Sequence, residues 1–409
     1  MRTDKILIVL IALVIAAAAI LGAVKMRSHD VPVTEVRPAS GKLSLLIIGI
    51  SGLEESIFDR LSGEGRLPHL TALAESGAIG RYSTLPKGTD SRIVWTSLVT
   101  GMAPENQGIG GKIMSPRGEM INASLIPESR TVDTIWTILS GEGSSCGVFG
   151  WPGTWPVEQL DGVVVAPYAT YVLELEHGEP ADKLVYPFSE FEAVDPLVIR
   201  PGTVTRRDLS RFVNMSSTLG LEALIGQNYT ALANAYAADR SMTDIAKLVT
   251  AVPGVENVFV CLAGTDNASQ RFWHYMDTEA IERLDVDEDE MILLREQVDA
   301  LGGTVERYYE FVDEEVGELI AVADDDATIA VVSDHGYAGV TLDANDLPRV
   351  GVSMHSERGM WILHGPGVRP GARADDGSIL DVAPTIMAAA SVKAAPNLDG
   401  QVTTALLKQ

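Results

Sequence analysis

Residues 43–50 (LSLLIIGI) form an unbroken apolar run of strand length between Gly41 and Ser51-Gly52. That pattern predicts a strand buried on both faces of a parallel sheet. Runs of the same kind recur at residues 145–149, 162–165, 257–263, 328–332 and 359–363, and helical spacing lies between them at 68–76, 92–99, 131–139 and 379–389. Strands alternating with helices predict a doubly wound α/β domain, mostly parallel, whose sites open at the carboxyl ends of its strands. Three of the predicted strands end on polar groups: one at Ser51, one shortly before Asp266 and one at Asp334-His335.

Residues 166–252 break this rhythm. They are dense in Pro, Tyr and Thr before a helical stretch near 219–238, and are expected to form an inserted cap beside the crevice. Residues 278–326 hold 18 acidic and three basic residues with apolar positions at helical spacing. Two solvated acidic helices account for that better than a metal-binding tract.

The N-terminus reads differently. The 19 residues from Ile6 to Val24 carry no charge, enough to cross about 30 Å of hydrocarbon as a helix. No clean A-x-A site precedes Lys25-Met26-Arg27, so residues 1–27 are expected to be an uncleaved single-pass anchor in the lipid bilayer rather than a cleaved signal peptide. Residues 28–41, with Pro32, Pro38 and Gly41, form a linker to the domain at 42–409. The charges flanking the span, Arg2 and Lys5 before it and Lys25 and Arg27 after it, do not fix its orientation.

Charge narrows the function. With 31 Lys+Arg against 56 Asp+Glu, the chain carries a net −25, which repels phosphate backbones and argues against nucleic acid as a partner. Cys146 and Cys261 sit inside apolar runs as buried thiols and form no CxxC pair. Several motifs fail. Gly108-Ile109-Gly110-Gly111-Lys112 lacks the spacing of a phosphate loop, and Ile113 stands where Ser or Thr is required. Gly49-Ile50-Ser51-Gly52 approaches a nucleophile elbow, but Leu53 occupies the position of its last Gly. Ser333-Asp334-His335-Gly336 at a strand end, with His355 twenty residues on, survives as a donor set suited to zinc or a similar divalent ion.

In this context the chain resembles the type I phosphodiesterase/nucleotide pyrophosphatase branch of the alkaline phosphatase superfamily. The landmarks, in family order, are LLIIGISGLEESIFDRLSGEGRLPHLTALAESGA, SRIVWTSLVTGMAPENQGI, DTIWTILSGEGSSCGVFGWPGTWPVEQLDG, AGTDNASQRFWHYMD, VVSDHGY, HSERGMWILHGPGV and DVAPTIMAAASV…NLDG. The resemblance implies an alkaline-phosphatase-like sheet with helices on both faces, two divalent ions (generally zinc), a phosphate-ester ligand and an extracytoplasmic domain. It also implies a Thr or Ser nucleophile nine residues before the Thr of Thr100-Gly101. That position is Ser91, with Thr89 the alternative. The C/S-x-P-x-R signature of the related sulfatases is absent at 91–95.

The departures carry equal weight. Where the resemblance implies an Asp ligand after the first strand, the chain has Ser51; where it implies Asp-x-x-x-His, Asp266 is followed by Gln270. One implied site therefore keeps Asp266 and His355, the other Asp334 and His335, and each is one ligand short. His274 lies one helical turn past Gln270, about 6 Å along the axis. Three readings stay open: weak hydrolysis with a single ion or a harder metal such as Mg or Mn, a metal-free serine hydrolase using Ser51, and a catalytically inactive pseudoenzyme that binds or scaffolds at the membrane. Neither oligomeric state nor substrate is legible.

Overall fold

The computed structural model describes residues 43–108, 112–114, 120–122, 127–170, 181–251, 254–342 and 348–409. The expected anchor at 6–24 and the linker at 28–41 lie outside them. Among the described residues no helix is long and apolar enough to cross a membrane.

The strands are β1 (Leu45–Ile50), β2 (Ala78–Ser83), β3 (Lys112–Met114), β4 (Met120–Asn122), β5 (Cys146–Phe149), β6 (Gly162–Val165), β7 (Val185–Tyr186), β8 (Asn257–Leu262), β9 (Thr328–Val332), β10 (Gly336–Leu342), β11 (Pro348–Ser356), β12 (Arg358–His364) and β13 (Arg373–Ser378). Nine of them form one sheet in the order β13-β2-β12-β9-β1-β8-β5-β6-β7. The centre, β9-β1-β8-β5-β6, is parallel throughout, while β12 runs antiparallel to both β9 and β2, and β7 antiparallel to β6.

Alternation along the central strands feeds two cores. Leu46, Ile48 and Ile50 of β1 pack with Val258, Val260 and Leu262 of β8 on one face. The longer helices there are α1 (Glu55–Gly63), α2 (Pro68–Ser76), α5 (Gly226–Ala251), α6 (Gly264–Phe272), α7 (Glu288–Leu301) and α8 (Thr304–Ile320). Leu45 and Ile47 join Phe259 and Cys261 on the other face, against α3 (Ser91–Thr100), α4 (Ile135–Gly141) and α9 (Val382–Ala389). Helices on both faces of a mostly parallel sheet are the doubly wound architecture expected. Both cysteines are buried and unpaired.

Within the expected cap, 181–224 is built mainly from short 3-10 turns. The 26-residue α5 instead buries Leu232, Ala233, Met242 and Ile245 in the core beneath β8. Among the described residues of this stretch, 181–224 departs from the strand–helix pattern. The acidic stretch at 278–326 contains α7 and α8, with Val305, Tyr308, Val312 and Val316 of α8 buried at helical spacing.

Candidate functional site

Strands β9, β1 and β8 are neighbours and run parallel, so their carboxyl ends open side by side. Strand β1 leads into Ser51, β8 passes into α6, which carries Asp266 and Gln270, and β9 runs into Ser333-Asp334-His335. The hairpin β10–β11 then returns the chain, placing His355 directly across from Tyr337. Residues more than 300 positions apart in sequence thus share one crevice.

The loops are wired together. The Ser51 hydroxyl lies 3.1 Å from both carboxylate oxygens of Asp334, and Oδ1 also accepts from the Gly52 and His335 N–H groups at 3.1 Å each. Leu53 N–H donates to Ser333 Oγ at 3.0 Å. Glu54 accepts from Tyr337 N–H at 2.8 Å, and the Tyr309 hydroxyl accepts from Glu54 N–H at 2.7 Å while donating to the Gly52 carbonyl at 3.1 Å. Gly52 is required here twice over. Its φ is +74°, and a Cβ would lie 2.8 Å from Tyr337 Cε2 and 3.1 Å from Asp266 Cα. Gly52→Ala is expected to cost roughly 2–4 kcal/mol, from left-handed backbone strain plus overpacking, read by urea denaturation.

The candidate metal ligands converge. One ligand atom each from Asp266, His335 and His355 lies within 4.8 Å of the others. Asp266 Oδ1 is 3.5 Å from His355 Nε2 and 3.9 Å from His335 Nε2, and Asp334 Oδ2 is 3.5 Å from His335 Nε2. The two imidazoles stack at 3.8 Å with planes 13° apart. Such a set of carboxylate and imidazole donors is of metal-binding type. Ser51 and Gln270 both stand at the cluster: besides the Ser51–Asp334 contact, Gln270 Nε2 donates to Asp266 Oδ2 at 2.7 Å. The Tyr337 hydroxyl donates to the Asp266 carbonyl at 2.9 Å and to its Oδ1.

Electrostatics follow from that wiring. Burial alone would raise the Asp266 pKa, but contact with His355, the His335 charge and the Tyr337 hydroxyl outweigh it and hold the carboxylate below the usual range. Burial, reinforced by the Asp266 charge, pushes Asp334 up against the opposing His335, Gly52 and Ser51. Contact with Asp266 raises His355, with Lys87 opposing from the loop that leads to α3.

Ser91 is the first helical residue of α3 and is exposed; Asp90 rather than Ser91 caps the helix, accepting from Arg92 N–H at 2.9 Å. No hydrogen bond or ion pair among the described residues joins Ser91 to the cluster. The Thr89 hydroxyl is tied into its own turn, donating to the Pro86 carbonyl at 2.6 Å. His274 is outside the ligand group: its ring lies 3.9 Å from that of Tyr275, tilted by 40°, and burial with Arg271 nearby lowers its pKa to about 4.

Sequence reasoning missed Tyr337 and Asp239. Asp239 is buried in α5 and accepts from Gly264 N–H at 3.0 and 3.1 Å and from the Tyr308 hydroxyl at 2.9 Å, which pins the start of α6. The available signal was a charged residue inside the Ala-rich run ALANAYAAD. Tyr337 gave none until the hairpin register was known.

Among solved structures, the fold is similar to an inactive variant of murine ectonucleotide pyrophosphatase/phosphodiesterase 5 in complex with AMP, at 12% identity and a TM-score of 0.50, covering 90% of this chain and 100% of that one. Phosphonoacetate hydrolase from Sinorhizobium meliloti in complex with phosphonoformate matches at 16% identity and a TM-score of 0.42, covering 75% of this chain and 59% of that one. No curated protein matches the sequence. A family model does match, over residues 45–409 and so over the whole sheet and every ligand in the cluster, and the chain belongs to the type I phosphodiesterase/nucleotide pyrophosphatase family.

Proposed function

We propose that this is a phosphodiesterase-like domain, held beside a bilayer by the span from Ile6 to Val24, whose depleted metal centre gives weak or no hydrolysis of phosphate esters. One observation carries the reading. At the two places where a two-ion centre needs a carboxylate and an imidazole, a hydroxyl and an amide donate instead to the neighbouring carboxylates, Ser51 to Asp334 and Gln270 to Asp266. Neutral oxygens are poor zinc ligands beside carboxylate and imidazole. Asp266 and Asp334 also give only two negative charges to two dications, so a bound pair is under-neutralised.

The remaining donors still fit one divalent ion: Asp266, His335 and His355 would hold it, with Asp334 adjacent. Zinc is the family's usual ion and the one this donor set suits, and when bound it supplies Lewis-acid polarisation of a phosphoryl oxygen. The chain's own contribution is Ser91 at the N-terminus of α3, where first-turn N–H groups and the helix dipole favour a phosphoryl anion. Without full ion support its hydroxyl keeps the acidity of an ordinary alcohol, and phosphoryl transfer is slow.

The same substitutions favour a second reading, a pseudoenzyme that uses the crevice to bind or scaffold. Hydrolysis of bis(p-nitrophenyl) phosphate by the full chain with added zinc, magnesium or manganese separates the two. Slow turnover that disappears in Ser91→Ala identifies a weak enzyme; no turnover above background identifies a pseudoenzyme. Rapid turnover would overturn the depleted-centre reading. Sedimentation of the full chain with membranes, lost on deleting residues 1–27, tests the anchor.

A further inference from the structure

Arg271, near the end of α6, is half-buried, yet among the described residues no carboxylate pairs with it. We infer that Arg271 and the amides around it bind a small oxyanion, a phosphate or carboxylate group, at a site separate from the crevice cluster.

Counter-charges are plentiful in a chain of net −25, and the other partly buried guanidiniums take them. Arg66, Arg81 and Arg240 each pair with three carboxylates, and Arg130 pairs with Glu158 at 2.6 Å. Arg271 is held by neutral amides instead. Its Nε donates to Asn228 Oδ1 at 2.6 Å and its Nη1 to Gln227 Oε1 at 3.3 Å. Asn228 is itself buried, and its Nδ2 donates to the Ala223 carbonyl at 3.0 Å, which fixes its oxygen toward the guanidinium. Nη2 has no acceptor among the described residues. Burial pushes the Arg271 pKa below the ordinary arginine range, opposed by Tyr275. Keeping a charge partly out of water without a counter-ion is unfavourable, and a bound anion removes that cost.

The chemistry of the ligand follows from the free edge. Two parallel N–H groups on Nη1 and Nη2 match two oxygens of a carboxylate or phosphate, a fit that a spherical ion does not offer. Gln227 is exposed and Arg271 only half-buried, so solvent anions reach that edge. Asn267, one helical turn before Arg271, and Gln227 offer amide N–H groups beside it. Arg271 lies five residues after Asp266, about 140° around the helix, and its hydrogen bonds run to α5. No hydrogen bond or ion pair among the described residues joins it to Asp266, His335 or His355. The site therefore stands whether or not the depleted-centre reading holds.

The neighbouring His274 supplies the readout, because its pKa is lowered by burial and then by the Arg271 charge. The full chain in detergent, treated with a chelator, is titrated with inorganic phosphate, with acetate and with chloride at constant ionic strength while histidine ring resonances are followed by NMR. The His274 signal is expected to move saturably with the oxyanions and not with chloride. Arg271→Gln is expected to weaken that response at least tenfold, and Arg271→Lys, which keeps the charge without the fork, to retain part of it. Circular dichroism checks that each variant is folded. A response to phosphate alone assigns the site to phosphate groups, and one to acetate alone to carboxylates. A His274 signal that ignores both, follows chloride equally, or responds as strongly in Arg271→Gln would overturn the site. Movement confined to His335 and His355 would also overturn it, by placing the anion in the crevice.

Discussion

Ser51→Asp combined with Gln270→His is expected to raise zinc affinity by about two decades per restored ligand. Four ligands of a structural zinc site share ~10–16 kcal/mol, so each contributes roughly 3 kcal/mol, or a hundredfold. Both positions already touch the correct neighbours, at 3.1 Å from Asp334 and 2.7 Å from Asp266, so little rearrangement stands between the substitution and the gain. The metal-free variant is expected to be less stable than the parent. A new carboxylate would stand beside Asp334, which is buried and whose pKa is already raised. Its melting temperature should therefore rise on adding zinc far more than that of the parent. Calorimetric titration and thermal denaturation read both effects, and unchanged affinity would contradict the assigned ligand positions.

Removing the carboxylate of Asp239 is expected to cost about 3–5 kcal/mol in Asp239→Ala, because the buried Gly264 N–H and the Tyr308 hydroxyl would each lose the carboxylate that accepts from them. The effect reaches the crevice, since Gly264 begins the helix that carries Asp266 and Gln270. Burial raises the Asp239 pKa to about 7, against the pull of Tyr308 and Gly264. The folded state thus holds this proton more tightly than the unfolded chain. The stability it contributes is fully present below about pH 4 and is lost as pH rises through about 7. A shift from 3.8 to about 7 corresponds to a loss on the order of 4 kcal/mol across that window. Urea denaturation at pH 5 and pH 8 should show the parent weakening with pH more than Asp239→Asn. Equal pH dependence in the two would contradict the role assigned to this carboxyl.

What was legible in the sequence follows burial. Strands β1, β8 and β9 are buried on both faces and read as continuous apolar runs, so their ends, and with them the crevice, follow from the chain alone. Strands β2 (AIGRYS) and β13 (RADDGS) lie toward the sheet edge, carry polar residues and escape a reading based on apolar runs. The run at 359–363 was legible as a strand, but its antiparallel direction is set by contact with β9 and β2, which local pattern does not encode. Helix α6 (GTDNASQRF) buries one face but offers only Ala268 and Phe272 as apolar side chains there, too few to be read from the chain; Asp239 fixes its start from another element.

The candidate site divides in the same way. Residue types and spacing pointed to Asp334, His335 and His355, and the resemblance pointed to Asp266, Ser51, Gln270 and Ser91. The grouping of ligands came only from three dimensions. His335 lies 3.5 Å from Asp334 and 3.9 Å from Asp266, and no spacing along the chain distinguishes those neighbours. The hydroxyl of Tyr337 on Asp266 likewise depends on a strand end and a hairpin meeting.

The most direct measurement is elemental analysis of the full chain after gentle, chelator-free purification. The proposed depleted centre predicts at most one divalent ion per chain. Two ions at full occupancy, held through dialysis, would show that Ser51 and Gln270 do not impair the centre and would contradict the account.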